Sequence, residues 1–341
     1  MRVKIQDGEI LPDILVTGCQ NSIKLNTVDF PVPCGKCIPC KAKRRNEWTF
    51  RIAEEYRYSN TAFFVTLTYD DLNLPFKYRK SYQVIQQPKQ IIGRYTNGKP
   101  KYKKEQHFKT VYTKRNTLNK KDIQDYIKRL RNNHVKYVTE QKGKETLNNS
   151  RPIRYYLCGE YGEKTQRAHY HLILFNVELG NIQSITKSWQ KGFTTVSEIK
   201  HERIRYVTKY MHKDFNKKAD NRQPPFSQMS KGRKNTPYGS IGEDYLKKYG
   251  IHHLETEDLT VKDLQGNTYR LPKAFLKKLF INKEDRQRVS EKSYLETKEN
   301  IIKEYKRLLK THYNNDKLKY MRSKDSDLKR QLKTIKNSEQ C

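Results

Sequence analysis

Two apolar runs, Ile153–Cys158 and Tyr170–Phe175, lie on either side of the turn-rich segment GEYGEKTQRA, a pattern that closes on itself as a β-hairpin. A third run, Thr61–Tyr69, is β-branched and aromatic throughout, is bounded by Asn60 and Asp70, and reads as a buried strand. Helical period surrounds these strands. Trp48, Ile52 and Tyr56 recur every four residues, and Ile123, Ile127 and Leu130 follow Asn119 and Asp122, which can cap a helix start. Ile182, Ile185 and Trp189 mark a short helix that Gly192 can end, Phe193–Ile199 alternates as a further strand, and Glu202–Phe215 is helical by propensity and period. The order strand, helix, strand, strand, helix, strand, helix predicts an α+β fold, an antiparallel sheet covered by helices on one face. Pro224–Gly242 reads as a Pro/Gly/Ser-rich connection, and beyond residue 291 the chain becomes a Lys/Glu-rich helical tail. The expected organisation is an N-terminal segment 1–45 with a cysteine cluster, a catalytic-size domain 46–242, and a basic, largely helical region 243–341.

Such a sheet must be built from little apolar material. Setting aside the 24 tyrosines and counting the 15 glycines leaves roughly 31% apolar residues, where ordinary domains have about 45–50%. The core is therefore thin or confined to part of the chain. Lys plus Arg outnumber Asp plus Glu by 71 to 37, a net +34, and solubility alone needs no imbalance of that size. The partner that fits is a polyanion, nucleic acid first. The stretch 76–121 is the extreme case, with fourteen Lys/Arg, the single acid Glu105 and seven Phe/Tyr; it reads as an extended insertion, a long hairpin or loop. No run approaches the about 18 apolar residues that span a bilayer, and the N-terminus lacks the layout of a signal peptide, so a cytoplasmic protein with no membrane partner is expected. In that compartment the six cysteines are thiols or metal ligands rather than disulfides.

His169 and His171 stand two apart on a strand and so point to one face, where they can hold one metal or simply be hydrogen-bonded at a surface. Glu160 and Glu163 lie upstream in the same hairpin, and antiparallel pairing brings Glu160, at the strand end, beside the imidazoles. Two histidines and a carboxylate leave positions open and suit Mg²⁺ or Mn²⁺ bound together with a phosphate substrate. Tyr206 and Tyr210 share a helix face; two phenols side by side can act as consecutive nucleophiles on phosphorus, or be half-buried packing. Lys209 and Lys213 in the same helix can neutralise a phosphate or a phenolate. Cys34, Cys37 and Cys40 form C-x2-C-x2-C, and a fourth thiolate from Cys19 completes a tetrahedral structural Zn²⁺ site; the alternative is a turn of packed thiols.

In order along the chain, PCGKCIPCKAKRRNEW, FFVTLTYDDLNLP, IRYYLCGEYGEKTQRAHYHLILFN, RYVTKYMHK and PPFSQMS with GSIG make roughly residues 31–242 resemble the replication initiators of the HUH superfamily. The likeness is nearer to those of gokushoviruses, single-stranded DNA phages of the microvirus family. It implies an HUH-type central antiparallel sheet flanked by helices. It also implies metal-dependent, origin-specific nicking and joining of one DNA strand through a 5′-phosphotyrosyl intermediate, which starts rolling-circle replication. His169 and His171 would be metal ligands with Glu160 as third, and Tyr206 or Tyr210 the nucleophile, with Lys209 assisting. The implied partners are the viral origin, single-stranded or supercoiled, and a host helicase and DNA polymerase in the bacterial cytoplasm; no ATP-binding G-x-x-x-x-G-K-[ST] loop occurs in the chain. Ala168 stands where that family usually has proline. Rival readings are a plasmid initiator or transposase of the HUH type, and a non-catalytic, zinc-stabilised nucleic-acid-binding protein.

Overall fold

The structure is a computed structural model, and it describes residues 16–85, 91–102, 107–199, 204, 208, 221–232, 239–263 and 266–340. A short hairpin of β1 (Ile23–Leu25) and β2 (Val28–Val32) precedes α1 (Ile38–Arg57). Pro39 sits in the first turn of α1, where its fixed φ suits the helix and its missing N–H has no intrahelical partner to lose. β3 (Ala62–Tyr69) is followed by a ribbon of β4 (Phe76–Ile85) and β7 (His107–Asn116); between these in sequence lie β5 (Ile91–Arg94) and β6 (Pro100–Tyr102). Then come α2 (Lys120–Asn149), β8 (Arg154–Tyr161), β9 (Ala168–Phe175), α3 (Gln183–Lys187), β10 (Gly192–Glu198) and β11 (Phe226–Met229). The C-terminal region holds α4 (Asp244–Thr256), β12 (Thr260–Lys262), β13 (Thr268–Arg270), α5 (Lys273–Leu279), α6 (Lys283–His312) and α7 (Lys317–Gln340). No helix among the described residues is long and apolar enough to cross a membrane.

The central sheet is antiparallel, five-stranded and ordered β10-β3-β9-β8-β11. Strand alternation splits its side chains between two cores. Phe63, Val65, Leu67 and Tyr69 of β3, with Leu157, Leu172 and Leu174, pack against Ile123, Tyr126, Ile127 and Leu130 of α2 and Trp189 beyond α3. On the opposite face Tyr156, Cys158, Ile173 and Phe175 pack against Ile52 and Ala53 of α1 and against Ile204. Helices thus cover both faces, which corrects the one-face expectation. The signal was present in β8 and β9, whose apolar runs do not alternate, as a strand buried on both sides requires.

Two further departures have local causes. Phe226–Met229, expected as connection, adds a fifth strand at the sheet edge beside β8; at four residues after two prolines it is short enough to leave little edge exposed. Asn119 caps α2 as expected, its side-chain oxygen accepting the N–H of Lys121 at 2.9 Å, but helical structure continues beyond residue 138 to Asn149, broken at Gly143. Gly192 has φ +138 where β10 begins beside the end of β3, and a Cβ there would stand 2.3 Å from the Asp70 nitrogen. Only glycine lets β10 start against Tyr69.

A third core forms where Phe50, on the outer side of α1, meets Tyr245, Leu259, Val261, Leu271, Phe275, Phe280 and Val289. α1 is therefore buried on two sides and joins the sheet to the C-terminal elements. Arg154 and Glu55 hold this junction: Arg154 Nη2 donates to Glu55 Oε2 at 3.1 Å, Gly242 N donates to the same oxygen at 2.8 Å, and Arg154 Nη1 donates to the Gly239 carbonyl at 2.7 Å. Both side chains are almost fully buried, with 6% and 2% exposure. Removing one partner strands the other charge, so Glu55→Ala is expected to cost about 3–5 kcal/mol in urea denaturation, whereas an Arg154→Met/Glu55→Leu pair costs much less.

Candidate metal centre

The hairpin register makes the site. β8 and β9 pair with Glu160 opposite His169 and Cys158 opposite His171, and β3 pairs from the other side with Thr68 opposite His169 and Thr66 opposite His171. Directly opposed residues share a face, so Glu160, His169 and His171 converge on the α1 side of the sheet. Glu160 Oε1 lies 2.8 Å from His169 Nε2 and 3.2 Å from His171 Nε2. The site is nearly closed to solvent, with side-chain exposures of 3% for Glu160, 9% for His171 and 17% for His169. Glu163, the other glutamate of the hairpin, lies exposed in the turn between the strands.

Neighbouring groups set the imidazole orientations. His169 Nδ1 lies 3.1 Å from the Arg167 carbonyl, which can only accept, so the proton is on Nδ1 and the Nε2 edge faces the carboxylate. His171 Nδ1 is 3.0 Å from the Thr66 hydroxyl, and its ring stacks on Phe64 at 5.7 Å. Arg167 is itself fixed, its guanidinium donating to the Tyr69 carbonyl at 2.7 Å and to Asp71 at 2.7 Å. Arg167, Thr66 and Phe64 were not singled out by sequence reasoning; only proximity to the histidine pair in sequence or register marks them. Burial pushes the thiol of adjacent Cys158 up to about 12, so this sulfur stays protonated at neutral pH.

The donor set fits a hard divalent cation. The three ligand atoms lie within 4.8 Å of one another, and the 2.8 and 3.2 Å edges match the spacing of neighbouring ligands, about 3 Å, around a cation bound at about 2.1 Å. A buried carboxylate with two Nε2 atoms turned toward it also satisfies the rule that buried charge be paired or metal-bound.

A second cluster gathers the sulfurs of Cys19, Cys34, Cys37 and Cys40 within 4.8 Å. Cys19 Sγ is 3.7 Å from Cys37 Sγ, and Gly35 takes φ +73 in the turn that brings Cys34 and Cys37 together. The amides of Lys36 and Cys37 donate to Cys34 Sγ, each at 3.4 Å, and hold that thiol down to about 6. Burial pushes Cys40 up to about 12. Four sulfurs with backbone N–H groups turned onto one of them form a set that can hold a metal ion.

Tyr206, Lys209 and Tyr210 lie outside the described residues. Two members of their segment are described and helical: Ile204 is buried on the triad's side of the sheet, and Thr208 Oγ1 is 3.0 Å from Thr49 Oγ1 of α1.

Residues 62–215 match the family model for the replication-associated protein ORF2, a stretch that starts with β3 and takes in Glu160, His169, His171 and the Tyr206–Tyr210 segment. The chain is 26% identical over 269 residues to the replication-associated protein ORF2 of Spiroplasma virus 4, covering 73% of this chain and 67% of that protein. It is 25% identical over 244 residues to the replication-associated protein VP4 of Bdellovibrio phage phiMH2K, covering 67% and 61% of the two chains. With the replication-associated protein ORF4 of Chlamydia phage 1 it shares 25% over 265 residues, covering 72% and 53%. The chain thus spans between about half and two thirds of the length of these relatives. No solved structure matches. The likeness read from the sequence strings is borne out, and over residues 62–215 this chain carries the pattern of the family of the replication-associated protein ORF2.

Proposed function

We propose that this chain starts rolling-circle replication of a small single-stranded DNA phage genome by nicking one strand at the origin and later rejoining it. The observation that carries the reading is the convergence of Glu160, His169 and His171 on one face of adjacent strands, inside the stretch that matches the family model. These three side chains would hold Mg²⁺ or Mn²⁺, which when bound polarises the scissile phosphate and offsets charge that develops on it. Arg167 and Thr66 keep both imidazoles turned toward the bound ion, and Glu160 keeps the site anionic so that a cation is retained.

The Tyr206 or Tyr210 phenol gives up its proton and attacks phosphorus in line. The P–O3′ bond breaks, the 3′ oxygen takes up a proton, and the DNA 5′ end remains on the tyrosine as a phosphodiester. Lys209, from the same segment, stabilises the phenolate that attacks or leaves. The second tyrosine can then cleave the regenerated origin, and the freed 3′-OH reverses the first linkage and closes the circle. The covalent bond stores the energy for joining, which accounts for a chain without an ATP loop. The excess of cations, +34 overall, holds the DNA by its phosphates. Host polymerase would extend the 3′-OH and host helicase would open the duplex ahead of it. The Cys19–Cys34–Cys37–Cys40 set would hold a structural Zn²⁺ that ties the N-terminal hairpin to the start of α1.

The direct test uses supercoiled replicative-form DNA of the phage. With Mg²⁺ or Mn²⁺ the protein is expected to convert it to open circles carrying one nick at one position, and with EDTA to leave it supercoiled. Nicks scattered over the genome, or formed equally in EDTA, would sink the reading.

A further inference from the structure

The ribbon of β4 and β7 shows a one-sided pattern that the nicking site does not use. Its register pairs Phe76 with Asn116, Tyr78 with Lys114, Lys80 with Tyr112 and Tyr82 with Thr110. Directly paired residues share a face, so Phe76, Tyr78, Tyr82 and Tyr112 lie on one face with Lys80 and Lys114 among them. The other face carries Lys77, Arg79, Lys109 and Arg115 and no aromatic residue over the same span. The rings are not there to make a core: Tyr78, Tyr82 and Tyr112 are 62%, 64% and 65% exposed. Lysines stand over two of the rings, Lys114 Nζ at 3.8 Å from the Phe76 centroid and Lys80 Nζ at 5.4 Å from that of Tyr82.

An isolated two-stranded ribbon with exposed rings gains nothing from them in water, and buried partners in this chain are not what they contact. We propose that this face is a stacking track for single-stranded DNA. Adjacent rings along a strand or across its diagonal are about 7–8 Å apart, room for one base stacked between two rings at about 3.4 Å from each. The lysines in the stripe reach the phosphates of a strand whose bases lie on the rings, and no acid occurs in β4 or β7 to repel it. A duplex offers no such faces, because its bases already stack on each other.

The track is aimed at the triad. Asn116, on the aromatic face at the root of the ribbon, accepts the N–H of Ala168 at 3.1 Å, one residue before His169. A proline at 168 has no N–H to give. The root is braced on the other strand too, where Asn221 Nδ2 donates to the Tyr78 carbonyl at 2.9 Å and Lys77 Nζ donates to the Asn221 carbonyl at 3.3 Å. A strand lying on the rings is therefore led to the edge of the sheet where His169 stands. This inference deepens the nicking proposal and rests on it for the strand's destination, though not for its binding.

Fluorescence anisotropy of a labelled oligothymidylate, in EDTA so that nothing is cut, tests it with the full-length protein. Replacing Tyr78, Tyr82 and Tyr112 together by Ala is expected to weaken single-strand binding at least about 100-fold, roughly tenfold for each ring. Replacing the same three by Phe keeps affinity within about threefold, because stacking needs the ring and not the hydroxyl. The slope of log affinity against log salt stays unchanged in both, since every cation remains, and duplex affinity stays unchanged. Wild-type binding by the folded triple Ala variant would overturn the inference. So would equal loss in the Phe variant, or a change of oligomeric state with DNA affinity intact, which would make the face a contact between copies of the chain. Failure of the nicking reading shows separately, as a wild-type protein that binds oligothymidylate through these rings yet cuts no origin DNA in Mg²⁺ or Mn²⁺.

Discussion

Glu160→Gln is expected to reduce metal-dependent nicking by at least about 100-fold while leaving the fold intact. The substitution keeps the shape of a side chain that is 3% exposed and removes the charge on the oxygen lying 2.8 and 3.2 Å from the two Nε2 atoms. Without a cation, a buried carboxylate is a cost that the histidines only partly offset, so in EDTA the variant should be at least as stable as the parent. With Mn²⁺ at about 100 times its dissociation constant the parent gains about 2.7 kcal/mol, seen as a raised melting temperature, and the variant loses most of that gain. Stability and activity then move in opposite directions, which a merely structural Glu160 cannot produce. His169→Ala should likewise abolish both the metal-induced shift and nicking.

The second large effect concerns the cysteines. Cys37→Ser is expected to remove one equivalent of zinc from the purified protein and to destabilise the N-terminal segment by several kcal/mol, because structural zinc contributes on the order of 10 kcal/mol to the segments it closes. Cys37 is chosen because its sulfur is 3.7 Å from that of Cys19, so it joins the segment before the hairpin β1–β2 to the start of α1. Metal analysis of the variant, with protection of backbone amides in residues 16–40 measured by hydrogen exchange, checks both parts. His169→Ala should keep its zinc and Cys37→Ser its Mn²⁺-induced shift in the sheet, which separates the two centres. A parent protein that purifies without zinc, with these amides equally protected, would contradict the assignment.

Much of the sheet was legible because its signals are local. β3, β8 and β9 are apolar runs bounded by turn residues, and α1 repeats its apolar residues every four. The pairing of Glu160 with the histidines was legible only in part. It depends on a turn in which Gly162 N donates to the Arg167 carbonyl, Gln166 N donates to the Gly162 carbonyl and Gln166 takes φ +54, and a slip of one residue would turn Glu160 to the other face. Strand propensity does not encode that count. The choice of face for α1 and α2 was hidden for a related reason, since a periodic stripe tells that a helix packs but not against what. The C-terminal core was missed because its apolar residues, from Leu259 to Val289, are scattered over two three-residue strands and helix ends and find their partner, Phe50, two hundred residues upstream. Nothing in Tyr206, Lys209 and Tyr210 beyond spacing and context spoke for them, and they fall outside the described residues.

The most direct measurement incubates the protein with Mg²⁺ or Mn²⁺ and end-labelled single-stranded fragments of its phage genome, and resolves the products on denaturing gels. The account predicts label covalently attached to protein, from one fragment only, absent in EDTA, retained when Tyr206 or Tyr210 alone is replaced by Phe and lost when both are. No adduct on any fragment, with DNA binding intact, would contradict it and leave a zinc-stabilised nucleic-acid-binding protein in which the histidine triad and both tyrosines are structural.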